Sequence, residues 1–169
     1  VHFMILRSYY ELKGLRWLFC LMKAIPVSGQ SRKDIFDTVD RTREELGQGN
    51  VVCIFAEGAI SRTGNLLPFK RGFEKVVEGL DVPVIPVHLD QLWGSIFSFK
   101  RGRFFRKWPE RMPYPVTVSF GKPMPSSVRA DEVRQAVMEL GSEAAIHRRS
   151  PKDLLHLSFI KMAKKRCLS

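Results

Sequence analysis

The sequence predicts an α/β domain built on a mostly parallel central sheet flanked by helices. Three observations predict it. Short apolar runs alternate with segments of helical period from residue 3 to residue 146. Two of those runs, residues 51–56 and 84–89, are apolar almost throughout, as strands buried on both faces of a parallel sheet are. A polar loop containing Gly58 and Gly64 follows the first of them, and ligands in such sheets sit beyond the carboxyl ends of the strands.

Taken in order, residues 3–6 read as a buried strand and residues 8–22 as a helix carrying Leu12, Leu15, Leu18 or Phe19, and Met22 on one face. Residues 24–28 form a second short strand. Ser31-x-x-Asp34 resembles a capping box and opens a helix whose face is Ile35, Val39, Thr42 and Leu46, until Gly47 and Gly49 stop it. The strand at 51–56, the loop at 57–65, a short helix at 73–80 and the strand at 84–89 follow. Residues 115–120 alternate as Val116, Val118 and Phe120 and read as a later strand. Residues 130–146 form a strong helix with Val133, Val137, Leu140 and Ala144 on one side. Ser150-Pro151-x-Asp153 opens a last helix, with Pro at its first position. Residues 1–147 are expected to be one domain, and residues 148–169 a basic linker or surface helix towards a following domain.

The net charge of +11 is concentrated rather than general. Between residues 100 and 111, Lys100, Arg101, Arg103, Arg106, Lys107 and Arg111 stand against Glu110 alone. From residue 147 to the end, Arg148, Arg149, Lys152, Lys161, Lys164, Lys165 and Arg166 stand against Asp153 alone. These two segments hold the whole excess, so the rest of the chain is neutral. The first patch interleaves its cations with Trp93, Phe97, Phe99, Phe104, Phe105 and Trp108. Rings and cations so mixed suit a lipid headgroup boundary. They equally suit base stacking beside phosphates, or a solvated face over a partly aromatic core.

Some classes are excluded. No run approaches the roughly 20 apolar residues of a membrane-spanning helix; residues 15–27 are interrupted by Arg16, Lys23 and Pro26. Cys20, Cys53 and Cys167 have neither a disulfide-framework nor a zinc spacing, which favours a reducing compartment. The loop at 57–65 is no Walker loop, because no Gly-Lys-Ser/Thr follows. It offers Glu57, Ser61, Arg62 and two glycines, with Lys70 shortly after. Glycine lets backbone amides approach a ligand closely. Arg62 suits a phosphate as a fork and Lys70 as a point charge.

Phe55-Ala56-Glu57-Gly58, Ser61-Arg62-x-Gly64, Phe69-Lys70-x-Gly72 and Val84-Ile85-Pro86-Val87, in that order and spacing, resemble the glycerolipid acyltransferase family. The blocks at Val52 to Gly58 and at His88 to Ser95 look closest to the 2-acylglycerophosphoethanolamine acyltransferase branch found in acyl-acyl-carrier-protein synthetase fusion proteins. The resemblance implies an O-acyltransferase that takes an acyl chain from acyl carrier protein or acyl-coenzyme A and transfers it to a lysophospholipid. It implies no cofactor and no metal. Carried over residue by residue, Glu57 and Gly58 match the acceptor-binding block, Arg62 stands one or two places after the family's phosphate-binding Arg, and Ser61 and Lys70 join them. The expected acceptor site is therefore Glu57, Gly58, Ser61, Arg62 and Lys70. The aromatic and basic segment from Trp93 to Trp108 is the expected membrane or partner contact. Pro86 matches a block that is structural. The family's earlier acceptor block falls on residues 24–28, where no Arg closes it and Arg32 stands displaced; that favours a bulkier lysophospholipid over glycerol-3-phosphate.

The family's catalysis rests on a His-x4-Asp pair. Five residues after His2, His88, His147 and His156 stand Arg7, Trp93, Lys152 and Lys161. No catalytic residue is therefore expected in this chain, and the pair is expected upstream of residue 1. That implies an N-terminally truncated domain, inactive alone, from a larger protein at the cytoplasmic face of the membrane. The competing expectation is a non-catalytic basic domain, either nucleic-acid-binding or a degenerate acyltransferase-like module, but no nucleic-acid motif accompanies it.

Overall fold

The structure is a computed structural model that describes residues 1–11, 16–28, 31–95, 98 and 115–148. Its first half is a three-stranded parallel sheet. Strand β1 (His2–Leu6) lies at the centre, with β2 (Ile25–Val27) on one side and β3 (Val52–Cys53) on the other. Met4, Ile5 and Leu6 face Ile25, Pro26 and Val27, while His2 and Phe3 face Val52 and Cys53. Two short helices, α1 (Arg7–Tyr10) and α2 (Arg16–Leu21), connect β1 to β2. The single helix expected over 8–22 thus corresponds to two helical segments in the described residues. Helix α3 (Arg32–Gly47) carries the chain across from β2 to β3.

Helix α3 begins as its sequence dictates. The Ser31 hydroxyl accepts from the Asp34 N–H at 3.1 Å, supplying one of the bonds that a helix start lacks. Inside it, Thr38 and Thr42 donate to the carbonyls of Asp34 and Thr38, both at 2.7 Å. Thr42 is fully buried; its hydroxyl stays satisfied by turning back onto its own helix. Ile35, expected on the same face, is exposed, because it sits in the first turn beyond the packed region.

Helix α4 (Gly72–Val77) packs beside α3, and Arg43 of α3 ends it. One guanidinium nitrogen donates to the carbonyls of Lys75, Val76 and Glu78, at 2.7 Å for the last. The core joins α4 to helix α5 (Ala130–Arg148) through Phe73, Val76, Val77, Val128, Ala130 and Val133. Val39, Leu46, Ile54, Ala56 and Phe69 close over that cluster.

Residues 51–56 are not buried on both faces. Only Val52 and Cys53 join the ladder; Ile54 and Ala56 turn to the core, while Val51 and Phe55 are exposed. Among the described residues β3 is an edge strand only two residues long, and Val51 and Phe55 fall outside it. The second apolar run behaves likewise. Strand β4 (Val87–Asp90) pairs antiparallel with β5 (Thr117–Phe120), Val87 against Phe120 and Leu89 against Val118. Those four side chains are exposed on one face. On the other, α5 comes so close that a Cβ on Gly141 would lie 2.8 Å from His88 Nε2. The pairing resumes at Val84 and Met124, whose N–H groups each donate to the other's carbonyl, at 2.9 and 2.8 Å. Arg148, in the last turn of α5, forks onto both carboxylate oxygens of Asp90 at 3.0 and 2.8 Å.

Candidate functional site

The three parallel strands end on one edge of the sheet, and the chain leaving β3 there is the predicted loop. A tight turn forms first: the Gly58 N–H donates to the Phe55 carbonyl at 3.0 Å, with Gly58 at φ +60. That left-handed conformation costs other L-residues about 1–2 kcal/mol, which explains glycine here. Glu57 is half-buried, and its carboxylate accepts the Leu67 N–H at 2.7 Å, tying the two ends of the loop. The Lys70 N–H donates to the Ala56 carbonyl at 2.8 Å. Its side chain then folds back over the turn: a Cβ on Gly58 would lie 2.9 Å from Lys70 Cδ, Cε and Nζ alike. Glu57, Gly58 and Lys70 therefore converge.

Ser61 and Arg62 occupy the outer arc. The Ser61 hydroxyl accepts the Gly64 N–H at 3.0 Å, closing a small turn that presents Arg62 on the exposed surface. Ser61 thus shapes the loop through its own backbone contact. From α5, Arg134 donates to the Leu67 carbonyl at 3.2 Å and supports the return arm. Arg71, adjoining Lys70, is held by Glu74 at 3.0 Å. Glu74 also accepts the Ala130 N–H at 2.9 Å; that backbone bond first, then Arg71 and Arg129, holds its carboxyl below the usual range against a smaller opposing effect of burial. Arg71 is thereby paired with Glu74 on the surface.

Of the expected membrane or partner contacts, Trp93 is described, and it lies against the loop: a Cβ on Gly64 would fall 2.8 Å from its Cδ2. Phe97, Phe99, Lys100, Arg101, Arg103, Phe104, Phe105, Arg106, Lys107 and Trp108 lie outside the described residues, as do residues 149–169.

Arg7 escaped the sequence reading. It directly follows β1, on the same strand-end edge as the loop, and with Tyr10, Glu11 and Pro26 it lines a cavity of about 290 Å³. Applying the strand-end rule to the first strand as well as the third would have found it. Its Nε stands 3.4 Å from Glu11.

The two described histidines on the strands, His2 and His88, both pack against neighbouring elements. His2 is buried: its Nδ1–H donates to the Lys23 carbonyl at 3.1 Å, and Nε2 stands 3.3 Å from a Glu45 carboxylate oxygen. His88 presses its ring on Gly141, with Nδ1 buried and lacking a hydrogen-bond partner. Burial pushes the Cys53 thiol up from its ordinary value, so at the end of β3 it is a weak nucleophile. Among the described residues no cluster of three or more His, Cys, Asp or Glu is placed to hold a metal ion. No described helix is long and apolar enough to cross a membrane.

A parallel sheet flanked by helices, with a glycine turn beyond the carboxyl ends of its strands, defines an α/β domain. Comparison with known proteins gives the family. Residues 1–90 match the model of the family described as Acyltransferase, and the chain belongs to that family. It is 32% identical over 80 residues to the chloroplastic 1-acyl-sn-glycerol-3-phosphate acyltransferase BAT2 of Brassica napus, an alignment covering 47% of this chain and 23% of that protein. It is 30% identical over 88 residues to a probable 1-acyl-sn-glycerol-3-phosphate acyltransferase of Mycoplasma pneumoniae, covering 50% and 33%. The corresponding enzyme of Limnanthes douglasii is 34% identical over 71 residues, covering 42% and 22%. The chain thus spans a third or less of the length of these curated relatives. No solved structure matches it.

Proposed function

We propose that this chain forms the acceptor-binding part of a glycerolipid O-acyltransferase, in which the loop leaving β3 grips the phosphate of a lysophospholipid. One observation carries the reading. Lys70 folds over the Glu57–Gly58 turn while Arg62 stands on the outer arc of the same loop. Arg71, next to Lys70, pairs with Glu74. An ammonium and a guanidinium on one short loop suit a phosphate group.

The likeness to 1-acyl-sn-glycerol-3-phosphate acyltransferases supports a glycerol-phosphate lipid acceptor. The absence of Arg from residues 24–28 favours one with a larger head, such as 2-acylglycerophosphoethanolamine. The donor is an acyl thioester of acyl carrier protein or coenzyme A. In the reaction, the acceptor hydroxyl oxygen attacks the thioester carbonyl carbon, a His takes the hydroxyl proton, and the carbon–sulfur bond breaks to release the thiol. His2 and His88 are committed to packing. We place the His-x4-Asp pair before Val1 in the parent polypeptide, which acts at the cytoplasmic face of a membrane beside further domains.

The test is Arg62→Ala in the parent polypeptide, assayed with 2-acylglycerophosphoethanolamine and acyl-acyl-carrier-protein. Removing the charged contact should raise the acceptor KM about tenfold, with the donor KM unchanged. An unaltered acceptor KM removes Arg62 from the site and the proposal with it.

A further inference from the structure

Trp93 is read from the sequence as part of an aromatic, basic surface, yet its ring is in contact with the loop. A Cβ on Gly64 would lie 2.8, 2.9 and 3.2 Å from Trp93 Cδ2, Cε3 and Cε2. These atoms belong to the six-membered ring and its fusion bond, so the flat of the indole covers the Gly64 Cα. Gly64 is at φ +85, so glycine is required there both for backbone conformation and for close approach.

The turn that holds Trp93 is strongly determined. Gln91, just before it, adopts φ +67, and its N–H donates to Asp90 Oδ1 at 2.8 Å. Asp90 is itself gripped by Arg148. After Trp93, Gly94 is at φ +108, and its N–H donates to the Ser98 hydroxyl at 2.9 Å. Ser98 in turn donates to the Ser95 carbonyl at 3.0 Å, and both serines are buried. A left-handed non-glycine residue persists only where its surroundings over-determine it. The outer arc of the loop, by contrast, is exposed at residues 62–65 and closes through the Ser61–Gly64 contact. A closely held platform thus presses on an exposed turn, two residues from Arg62.

We propose that Trp93 is a positioning residue for Arg62: the indole fixes the Ser61–Gly64 turn and thereby the direction in which the guanidinium leaves the loop. The inference rests on the phosphate-binding role of Arg62 given above. A pre-aimed guanidinium loses less freedom when it takes up a phosphate, so the contribution enters acceptor binding and not the chemical step.

The experiment is a double-variant cycle in the parent polypeptide, with 2-acylglycerophosphoethanolamine as acceptor and acyl-acyl-carrier-protein as donor. Trp93→Ala should raise the acceptor KM about 3- to 10-fold with kcat and donor KM unchanged. Trp93→Phe, which keeps a flat ring, should restore most of it. Gly64→Ala, which pushes the ring away from the other side, should reproduce the Trp93→Ala effect. In an Arg62→Ala background, Trp93→Ala should add nothing further. If the Trp93 and Arg62 effects multiply, or if kcat and Tm fall with KM unchanged, the positioning role is overturned while the acceptor site stands. If Trp93→Ala loses sedimentation with anionic vesicles at an unchanged KM, the ring belongs to a bilayer contact and the role is likewise overturned. If Arg62→Ala itself leaves the acceptor KM unaltered, the acceptor site falls, and the inference with it.

Discussion

Gly58→Ala separates backbone strain from side-chain crowding at the loop. At φ +60 an L-alanine costs about 1–2 kcal/mol. The new Cβ would also lie 2.9 Å from three atoms of the Lys70 tail. Lys70 is exposed and its tail is flexible, so that contact is relieved by rotating the ammonium off the turn, at a cost of about 0.5–1 kcal/mol at most. Backbone strain therefore dominates the stability loss. For a chain of this size it corresponds to a fall in Tm of about 2–8 °C. The site should feel the other consequence: with the ammonium displaced, Gly58→Ala and Lys70→Ala should raise the acceptor KM similarly. Urea unfolding of both single variants and the double variant decides the stability question. Lys70→Ala alone should stay within about 0.5 kcal/mol of the parent. The double variant should be as unstable as Gly58→Ala, because deleting the tail leaves the strained φ in place. Recovery of stability in the double variant would show that crowding carried the cost. A Gly58→Ala protein as stable as the parent would refute the left-handed turn itself.

Two further outcomes test the scaffold around the loop. Glu74 has its carboxyl lowered from an ordinary value near 4.5, chiefly by the Ala130 N–H, so its ionised form is favoured by folding. Its contribution to stability is present above that ordinary value and is lost as pH falls through the lower native one. Glu74→Gln should therefore be less stable than the parent in urea at pH 7, with the gap narrowing towards pH 3; a gap independent of pH would contradict the assignment. Burial raises the Cys53 thiol, whereas Cys20 is exposed. Alkylation at pH 8 followed by peptide mass spectrometry should label Cys20 well before Cys53, and equal rates would contradict the packing at the end of β3.

What the sequence made legible is what local chemistry encodes. The start of α3 was readable because Ser31 and Asp34 stand at capping distance, and its end because Gly47 and Gly49 stand where the apolar face stops. Helix α5 was readable from Val133 and Val137, which are buried as their spacing requires. The convergence of Glu57, Gly58 and Lys70 was legible because a turn and its returning arm are close along the chain. The expected burial of residues 51–56 was wrong in part, because an apolar run records that a strand is apolar and not how many neighbours it has. Among the described residues β3 is a two-residue edge strand, and Val51 and Phe55 on either side of it are exposed. The antiparallel pairing of β4 with β5 was hidden for the same reason: Val116, Val118 and Phe120 fix a face but not the partner or direction of their strand.

The placement of Trp93 shows where local reading must stop and why that matters for function. Its sequence neighbours are cations and rings, so composition assigns it to a surface patch. Across the fold its ring lies against Gly64, far back along the chain and on the loop that composition had marked for a phosphate. Nothing in the spacing of either segment requires that meeting; it follows from the pairing of β4 with β5 and from the grip of Arg148 on Asp90, which fix the direction in which the chain leaves β4. The long-range contact thus couples two segments that are separate in the sequence. A phosphate gripped by Arg62 would bring the lipid beside the indole, and the same ring would aim the cation and border its ligand. On that arrangement, acceptor recognition depends on Trp93 as well as on the loop, although the family match ends at residue 90.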